Sequence, residues 1–387
     1  MENSGEVLLS PRRMAGLAQP VFLHSRIAIF RVAVTGHAVH RQTFCAVTRC
    51  QRELQFPFQL RGVRIRAWAF TIAIRVTRPN PRKLARIDHS DKRCDDCCQK
   101  AILVLVQREQ EVIARWSGSA PFWEKHREII RHMFAPITEA LVEAAQIGSG
   151  HSVLDIATGP GEPALTIASL VEPQGKVVGV DPIPEMIAAG RREAIRLELR
   201  NVEFEVAFAD HLPFPADTFD AVVSRLGVMF FPSPLDAVRE MLRVLKPGRK
   251  LALAVWHFAA RNPFHHSLAR VIDQYVESPP PEPDALDAFR FATPGGLREI
   301  LNEAGVTATT ERLLQFSIDV PMSIDDFWAL RLEMCDSLRQ RISVLPQQQM
   351  AELKRRAFES ISEYSANGGI NFPAEVLIVS GAKGLVS

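Results

Sequence analysis

The residues of this chain whose types and spacing could do chemistry cluster in three short runs. The first is Val153-Leu154-Asp155-Ile156-Ala157-Thr158-Gly159-Pro160-Gly161. Its glycines let the backbone turn tightly and approach a ligand, and the helix expected to follow would offer free N–H groups to an anionic part of it. The second run, Val177-Val178-Gly179-Val180-Asp181, ends in an acid 20 residues after Gly161. From such a position a carboxylate can accept both hydroxyl protons of a ribose. The third is Phe208-Ala209-Asp210-His211-Leu212-Pro213-Phe214. A glycine loop alone is weak evidence, and Gly159-x-Gly161-x-x-Ala164 also fits a dinucleotide site. Against that fit, Asp155 stands four residues before the first glycine, where dinucleotide folds usually keep apolar strand residues.

These runs need elements to hold them, and the hydrophobic pattern supplies an alternation of strands and helices. Strands are expected at Ser152 to Ala157, Lys176 to Asp181, Val202 to Ala207, Asp220 to Arg225 and Lys250 to Trp256. Helices are expected between them at Pro163 to Val171, Pro184 to Leu199 and Pro234 to Leu245, preceded by two helices divided at Pro136. Repeated βα units of this size mean an α/β fold with a doubly wound, mostly parallel sheet. Beyond Trp256 the pattern predicts helices at Pro263 to Tyr275, Pro294 to Ala304 (closed by Gly305), Ser323 to Ile342 and Gln347 to Tyr364. A last strand is predicted at Ala374 to Ser380.

In order and in separation, the runs VLDIATGPGEPALTIA, GVDPIPEMIAAGRR, FADHLPFPADTFDAVVSRLGVMFF and EMLRVLKPGRKLALAVW resemble the class I S-adenosylmethionine-dependent methyltransferases, in particular the ubiquinone/menaquinone-biosynthesis-like branch. The resemblance covers roughly residues 107 to 387 and is strongest over 152 to 256. It implies a Rossmann-like sheet with an antiparallel C-terminal strand, S-adenosylmethionine as cofactor and a small-molecule methyl acceptor. By position it implies that Asp155, Gly159 and Gly161 shape the pocket for the methionine part and that Asp181 binds the ribose. Pro182 and Met186 would pack by the adenine, and Asp210 would meet its amino group with His211 and Leu212 alongside. Ser224, Arg225 and Gly227 would lie where the sulfonium meets the acceptor. The implied organisation is a cofactor-binding core over 150–256, a helical substrate cap over about 276–370 and a last strand at 374–380, all within a domain spanning 105–387. Asp220 reads as a structural acid at a strand start.

Methyl transfer from a sulfonium is a direct displacement at carbon or oxygen, and aligning the reactants supplies most of the acceleration. A general base is needed only if the acceptor arrives protonated. Candidates are His257, His265, His266 and His211, with Arg225 a further catalytic candidate; for each histidine a structural role is the commoner one. Trp116, Phe122 and Trp123 precede the fold and could form a lid. Two other readings remain at this point, a nicotinamide-dependent oxidoreductase and a catalytically silent cofactor- or RNA-binding module.

The third reading draws on charge asymmetry. Residues 1–87 carry fifteen Lys and Arg against three Glu, whereas the whole chain of 387 residues has a net charge of +2. Residues 1 to 104 lack sustained periodicity and read as a poorly ordered, Arg-rich extension, or as non-coding sequence translated upstream of a true start. Its arginines are not placed on one helical face, so nucleic acid is not expected as a partner. His89, Cys94, Cys97 and Cys98 contain a Cys-x-x-Cys core without a second matching pair, so no metal site is expected. The longest apolar runs are six residues, too short to span a membrane, and no secretory signal pattern opens the chain. A cytoplasmic location is the expectation that follows. Because the chemistry asks for no metal, turnover is expected to persist in EDTA. Loss of turnover that magnesium restores would instead indicate an acceptor chelated through a metal.

Overall fold

The computed structural model describes the backbone of residues 92–277, 285–366 and 368–385, with side chains from residue 109 onward. Residues 1–91 of the extension expected over 1–104, including His89, and the proline run at 279–283 lie outside the described residues. The chain divides into two compact units, Met1–Gln110 and Glu111–Ser387. The second holds the sheet and every site residue considered below.

Eight strands build that sheet: β1 (Ser152–Ile156), β2 (Lys176–Asp181), β3 (Val202–Val206), β4 (Phe219–Arg225), β5 (Leu245–Trp256), β6 (Thr307–Val320), the short β7 (Ser365–Ala366) and β8 (Gly369–Ala382). Their order is β3-β2-β1-β4-β5-β8-β6, with β7 on β8. The first five are mutually parallel, and β8 runs antiparallel between β5 and β6. Val153, Leu154, Val177, Val180, Val222 and Val223 are buried. Central strands covered on both faces need such continuous apolar runs rather than alternation.

The connecting helices start where the chain is prepared for them. Pro184–Arg196, Pro234–Val244 and Pro263–Ile272 each begin at a proline, whose fixed φ suits the first turn and whose missing N–H would be unused there. Gly305, at φ 94°, closes Gly296–Ala304 in the left-handed conformation that glycine adopts at least cost. Ser323 caps Ile324–Met334 by accepting the Asp326 N–H at 3.1 Å.

Five expectations change. Strand β6 was not expected, because its residues are mostly exposed at the sheet edge and its adjacent leucines, Leu313 and Leu314, break the alternation. The helical cap expected over 276–370 is therefore not continuous: β6, 14 residues long, crosses it and joins the sheet. The last strand runs Gly369–Ala382 rather than 374–380, and the helix expected at Ser323 to Ile342 breaks at Cys335 into two. At the other end, Lys92–Lys125 is one helix and passes through the expected boundary at 104/105 without interruption. Among the described residues no helix is long and apolar enough to cross a membrane.

Because Glu111–Ser387 is compact by itself, deleting residues 1–104 is expected to preserve a cooperative melt. The dissociation constant for S-adenosylhomocysteine should stay within about tenfold, roughly 1.4 kcal/mol. An insoluble product, or a larger loss measured by calorimetry, would place the deleted tract in the working structure.

Candidate functional site

Parallel strands end on one rim, and β1 and β4 leave the sheet in opposite senses at the point where the strand order reverses. Ligands of open α/β sheets bind in the crevice this creates. At each lip a non-glycine residue is left-handed, Ala157 at φ 57° after β1 and Leu226 at φ 61° after β4. Such conformations cost about 1 to 3 kcal/mol each and persist where the surroundings enforce them. Gly227 explains the closeness of the lips: a Cβ there would sit 2.5 Å from that of Ala157 and 2.9 Å from the Ser224 hydroxyl.

Asp155 is fully buried at the end of β1, opposite Gly179 on one side and Val223 on the other. Its Oδ2 accepts the N–H of Ala164, the first residue of the helix Ala164–Val171, at 3.1 Å. The free helix N-terminus expected for an anionic group is thus already occupied by a protein carboxylate. Its Oδ1 is buried, and the Thr158 hydroxyl, also buried, lies within hydrogen-bonding reach of the carboxyl. Burial pushes the Asp155 carboxyl up to about 7; the nearby Thr158 hydroxyl and the Arg225 charge oppose that shift.

Asp181 closes the loop from the next strand. Its Oδ2 accepts the Gly159 N–H and its Oδ1 the Ile183 N–H, each at 3.0 Å. Gly159 takes φ 56° and Gly161 φ 116°, and a Cβ on Gly161 would lie 2.6 Å from Leu165 Cδ1. Burial raises the Asp181 carboxyl to about 6, against the two backbone N–H groups that favour its charge. Pro182 is half-buried beside it, and Met186 packs with Ala120 and Ile183 under Trp116 and Trp123. Trp116 also meets Trp123 at 5.6 Å and Phe230, just past β4, at 5.2 Å between ring centroids. The end of the long helix therefore covers ground from the Met186 side to the β4 lip. Phe122 faces elsewhere, beneath the Arg339 guanidinium.

The third run forms a tight turn in which Phe208 pairs with His211 and Asp210 is half-buried. His211 is exposed, whereas Leu212 is buried and donates its N–H to Glu240 at 3.1 Å. On β4, Ser224 is fully buried with an unpartnered hydroxyl. Arg225 donates to Thr138 Oγ1 at 2.9 Å and lies 5.9 Å from the Phe134 ring centroid. Burial lowers its pKa, which Glu162 and Asp155 oppose. Asp220 lies at the opposite end of the sheet, bound by Lys246 and the Ser152 N–H, in the structural role expected of it.

The histidines separate. His257 Nδ1 meets Glu375 Oε2 at 2.6 Å. Successive strand residues face opposite ways, so His257 follows Trp256 on the other side of β5. Burial raises the Glu375 carboxyl, but hydrogen bonds from Gln315 and His257 hold it below its usual range. His265 sits on the Trp256 side, its ring centroid 4.5 Å from that of Trp256, with Nε2 buried and unpartnered. His266, next to it, is half-buried with Nδ1 also unpartnered. Glu375 and Thr138, which orient two of the candidates, carry no sequence motif. Arg331, which packs near His265, does: it lies four residues after Phe327 and three after Trp328, a cation on an apolar helical stripe.

Residues 153–248 match the family model described as "Methyltransferase domain". These residues are thus similar to a methyltransferase domain. The chain is 37% identical over 135 residues to the ubiquinone/menaquinone biosynthesis C-methyltransferase UbiE of Pseudomonas putida, covering 35% of this chain and 51% of that one. It is 30% identical over 146 residues to the demethylmenaquinone methyltransferase of Listeria monocytogenes, covering 38% and 62% respectively. The matched stretch thus spans about half to three fifths of these relatives. Among solved structures, the YcgJ protein of Bacillus subtilis aligns with 64% of this chain and 98% of its own at 20% identity, with a TM-score of 0.43. The matched segment contains the β1 and β4 lips, Asp155 and Asp181.

Two outcomes test this crevice. Asp181→Ala would strip two backbone N–H groups of their acceptor, so Asp181→Asn is the cleaner substitution. Loss of one charged hydrogen bond, about 1.5 to 3 kcal/mol, should weaken S-adenosylhomocysteine binding by roughly 10- to 100-fold in calorimetry. The second outcome concerns Asp155. Its raised pKa means that the ligand-free fold loses stability as pH rises from the usual carboxylate range toward 7. A cationic ligand group reverses the preference, so S-adenosylhomocysteine should bind about tenfold more tightly at pH 8 than at pH 6, with proton release. A flat affinity over that window would remove Asp155 from the cation's neighbourhood.

Proposed function

We propose that this chain transfers the methyl group of S-adenosylmethionine to carbon or oxygen of a small-molecule acceptor by direct displacement. The observation that carries this reading is the buried Asp155 carboxylate, which has one oxygen on the helix N-terminus and no carboxylate-neutralising contact closer than the Thr158 hydroxyl and the Arg225 charge. A dinucleotide would bring its pyrophosphate to that N-terminus, where the donor is already taken and a second anion would be repelled. The methionine part of S-adenosylmethionine instead carries an ammonium and a sulfonium, both of the sign that a buried carboxylate oxygen accepts. The residues present therefore fit this cofactor better than a nicotinamide.

When bound, the cofactor supplies an electrophilic methyl group on sulfur. The residues of this chain have the remaining tasks. Asp155 would hold the cationic end, and Asp181, fixed by Gly159 and Ile183, would present its remaining lone pairs to the ribose. Met186 would pack by the adenine with Pro182, and the Asp210–Leu212 turn would lie at its edge. Trp116 and Trp123 would exclude water from above. Ser224 and Arg225, at the β4 lip, would border the point of transfer, where alignment supplies most of the acceleration. The name of the Pseudomonas relative, a C-methyltransferase, supports carbon as the receiving atom.

Thermal shifts should rise with S-adenosylhomocysteine and stay unchanged with NAD or NADP at equal concentration. A stabilisation by the nicotinamide alone would overturn the reading. The silent RNA-binding alternative rests on the basic arm within residues 1–104, of which 1–91 lie outside the described residues. It would be supported by salt-sensitive RNA binding that vanishes on their removal.

A further inference from the structure

Arg331 is a buried cation with no carboxylate partner among the described residues; the titratable group that favours its charge is the Cys335 thiol, four residues on. It is 6% exposed, on the helix Ile324–Met334, and its Nε has no hydrogen-bond partner. The carboxylates around it are committed elsewhere. On its own helix, Glu333 pairs with Lys125 and His126, Asp325 with Lys354, and Asp326 with the Ser323 cap. On the helices packed nearby, Asp336 holds Arg339, and Glu352 and Glu359 hold Arg355. The helix Pro263–Ile272 contributes His265, His266 and Arg270 but no acid. What faces the guanidinium is the Phe264 ring, 4.5 Å away. A ring face attracts a cation less than burying that cation costs.

The same Phe264 ring touches His265, at 5.1 Å between centroids, and His265 is boxed in by Trp256 at 4.5 Å and Phe289 at 5.6 Å. Its Nε2 is unpartnered, and so is the hydroxyl of Ser267, which is 3% exposed. Burial, and then the Arg331 charge, lower the His265 pKa well below its ordinary value, so the ring stays neutral. Aromatic contacts lead from this cluster to the β4 lip. Phe134 lies 5.8 Å from Trp256, 6.0 Å from Phe264 and 5.9 Å from the Arg225 guanidinium. Arg225 in turn is in electrostatic contact with Asp155.

We infer that Arg331, with the unpartnered His265 Nε2 beside it, is the anion-binding part of the acceptor site, and that the acceptor is a flat apolar molecule carrying an ionised oxygen, a phenolate or a carboxylate. This inference rests on the methyl-transfer reading above. The aromatic rings supply flat apolar walls, Arg331 neutralises the oxygen that a planar guanidinium matches best, and the neutral His265 adds no competing charge. The site takes its cation from the helix Ile324–Met334, after β6, and its neighbour His265 from the helix Pro263–Ile272, after β5. Acceptor recognition is thereby kept apart from the carboxylates of the cofactor crevice.

The test uses the full chain with S-adenosylhomocysteine present and two pairs of probes, benzoate against benzamide and 4-nitrophenolate against nitrobenzene. The wild type should bind at least one anion tenfold or more tightly than its neutral counterpart, and the pair that discriminates identifies carboxylate or phenolate as the source. Arg331→Met should abolish that preference, Arg331→Lys should keep part of it, and both should bind S-adenosylhomocysteine within twofold of wild type. A purely structural arginine would lower the melting temperature when replaced by methionine; a ligand-binding one should leave it equal or raise it. Equal binding of anion and neutral probe by wild type, or a preference that survives Arg331→Met, overturns the inference. If Arg331→Met does not fold, the wild-type comparison and Arg331→Lys still decide. Failure to bind S-adenosylhomocysteine with the anion preference intact would instead overturn the methyl-transfer reading and leave the anion site standing.

Discussion

A carboxylate buried at the end of the first strand sets the terms for the rest of this structure. Removing an ion from water costs several kcal/mol unless its oxygens are satisfied. Asp155 meets half of that requirement internally, by accepting the Ala164 N–H. The same bond ties strand to helix across the glycine loop and uses the helix N-terminus that would otherwise attract an anion. The other half falls to the Thr158 hydroxyl and the Arg225 charge and, under the proposed function, to a cationic ligand. Much of the crevice follows from this one choice, including a carboxyl held near neutrality and an arginine, Arg225, kept within electrostatic reach.

The loop is then held from the second strand. Asp181 binds the backbone at Gly159 and Ile183, so a residue suited to a ribose also fixes the turn that shapes the neighbouring pocket. The left-handed residues at both lips, Ala157 and Leu226, and the Cβ-free Gly227 between them, let β1 and β4 approach closely where they diverge. Strain of this kind survives because the sheet on both sides is rigid, with Val153, Ala221 and Ala252 fully buried. Binding and folding therefore draw on the same few contacts.

Under the proposed methyl transfer and the inferred anion site, two buried charges of opposite sign would mark the two ends of a reaction site. Asp155 has the Arg225 charge within reach and Arg331 has no carboxylate partner, and ring contacts through Phe134 and Phe264 link Arg225 to Arg331. Each charge weakens the fold while it stands unpaired. A protein that binds a cationic donor and an anionic acceptor can carry both, because each ligand offsets what the fold leaves open.

Sequence alone determined the parallel βα core, because buried strands need runs such as Val177 to Val180 and helix starts need residues such as Pro184 and Pro234, all local signals. It also placed Asp155, Gly159, Gly161 and Asp181 on strand ends, since a loop after a parallel strand must lie on the ligand-binding rim. Three things waited for the tertiary structure. Strand β6 is an edge strand with little apolar alternation, and only its pairing with β8 defines it. The helix N-terminus read from the glycine loop as free is occupied, because occupancy depends on how a side chain nine residues away is turned. His257 and His265, eight residues apart, are sent to opposite sides of β5, one to Glu375 and the other to Trp256 and Phe264. Periodicity reports which face of an element is buried, whereas the partner met there is decided by how the elements pack, over separations from the nine residues of Asp155 and Ala164 to the 118 of His257 and Glu375.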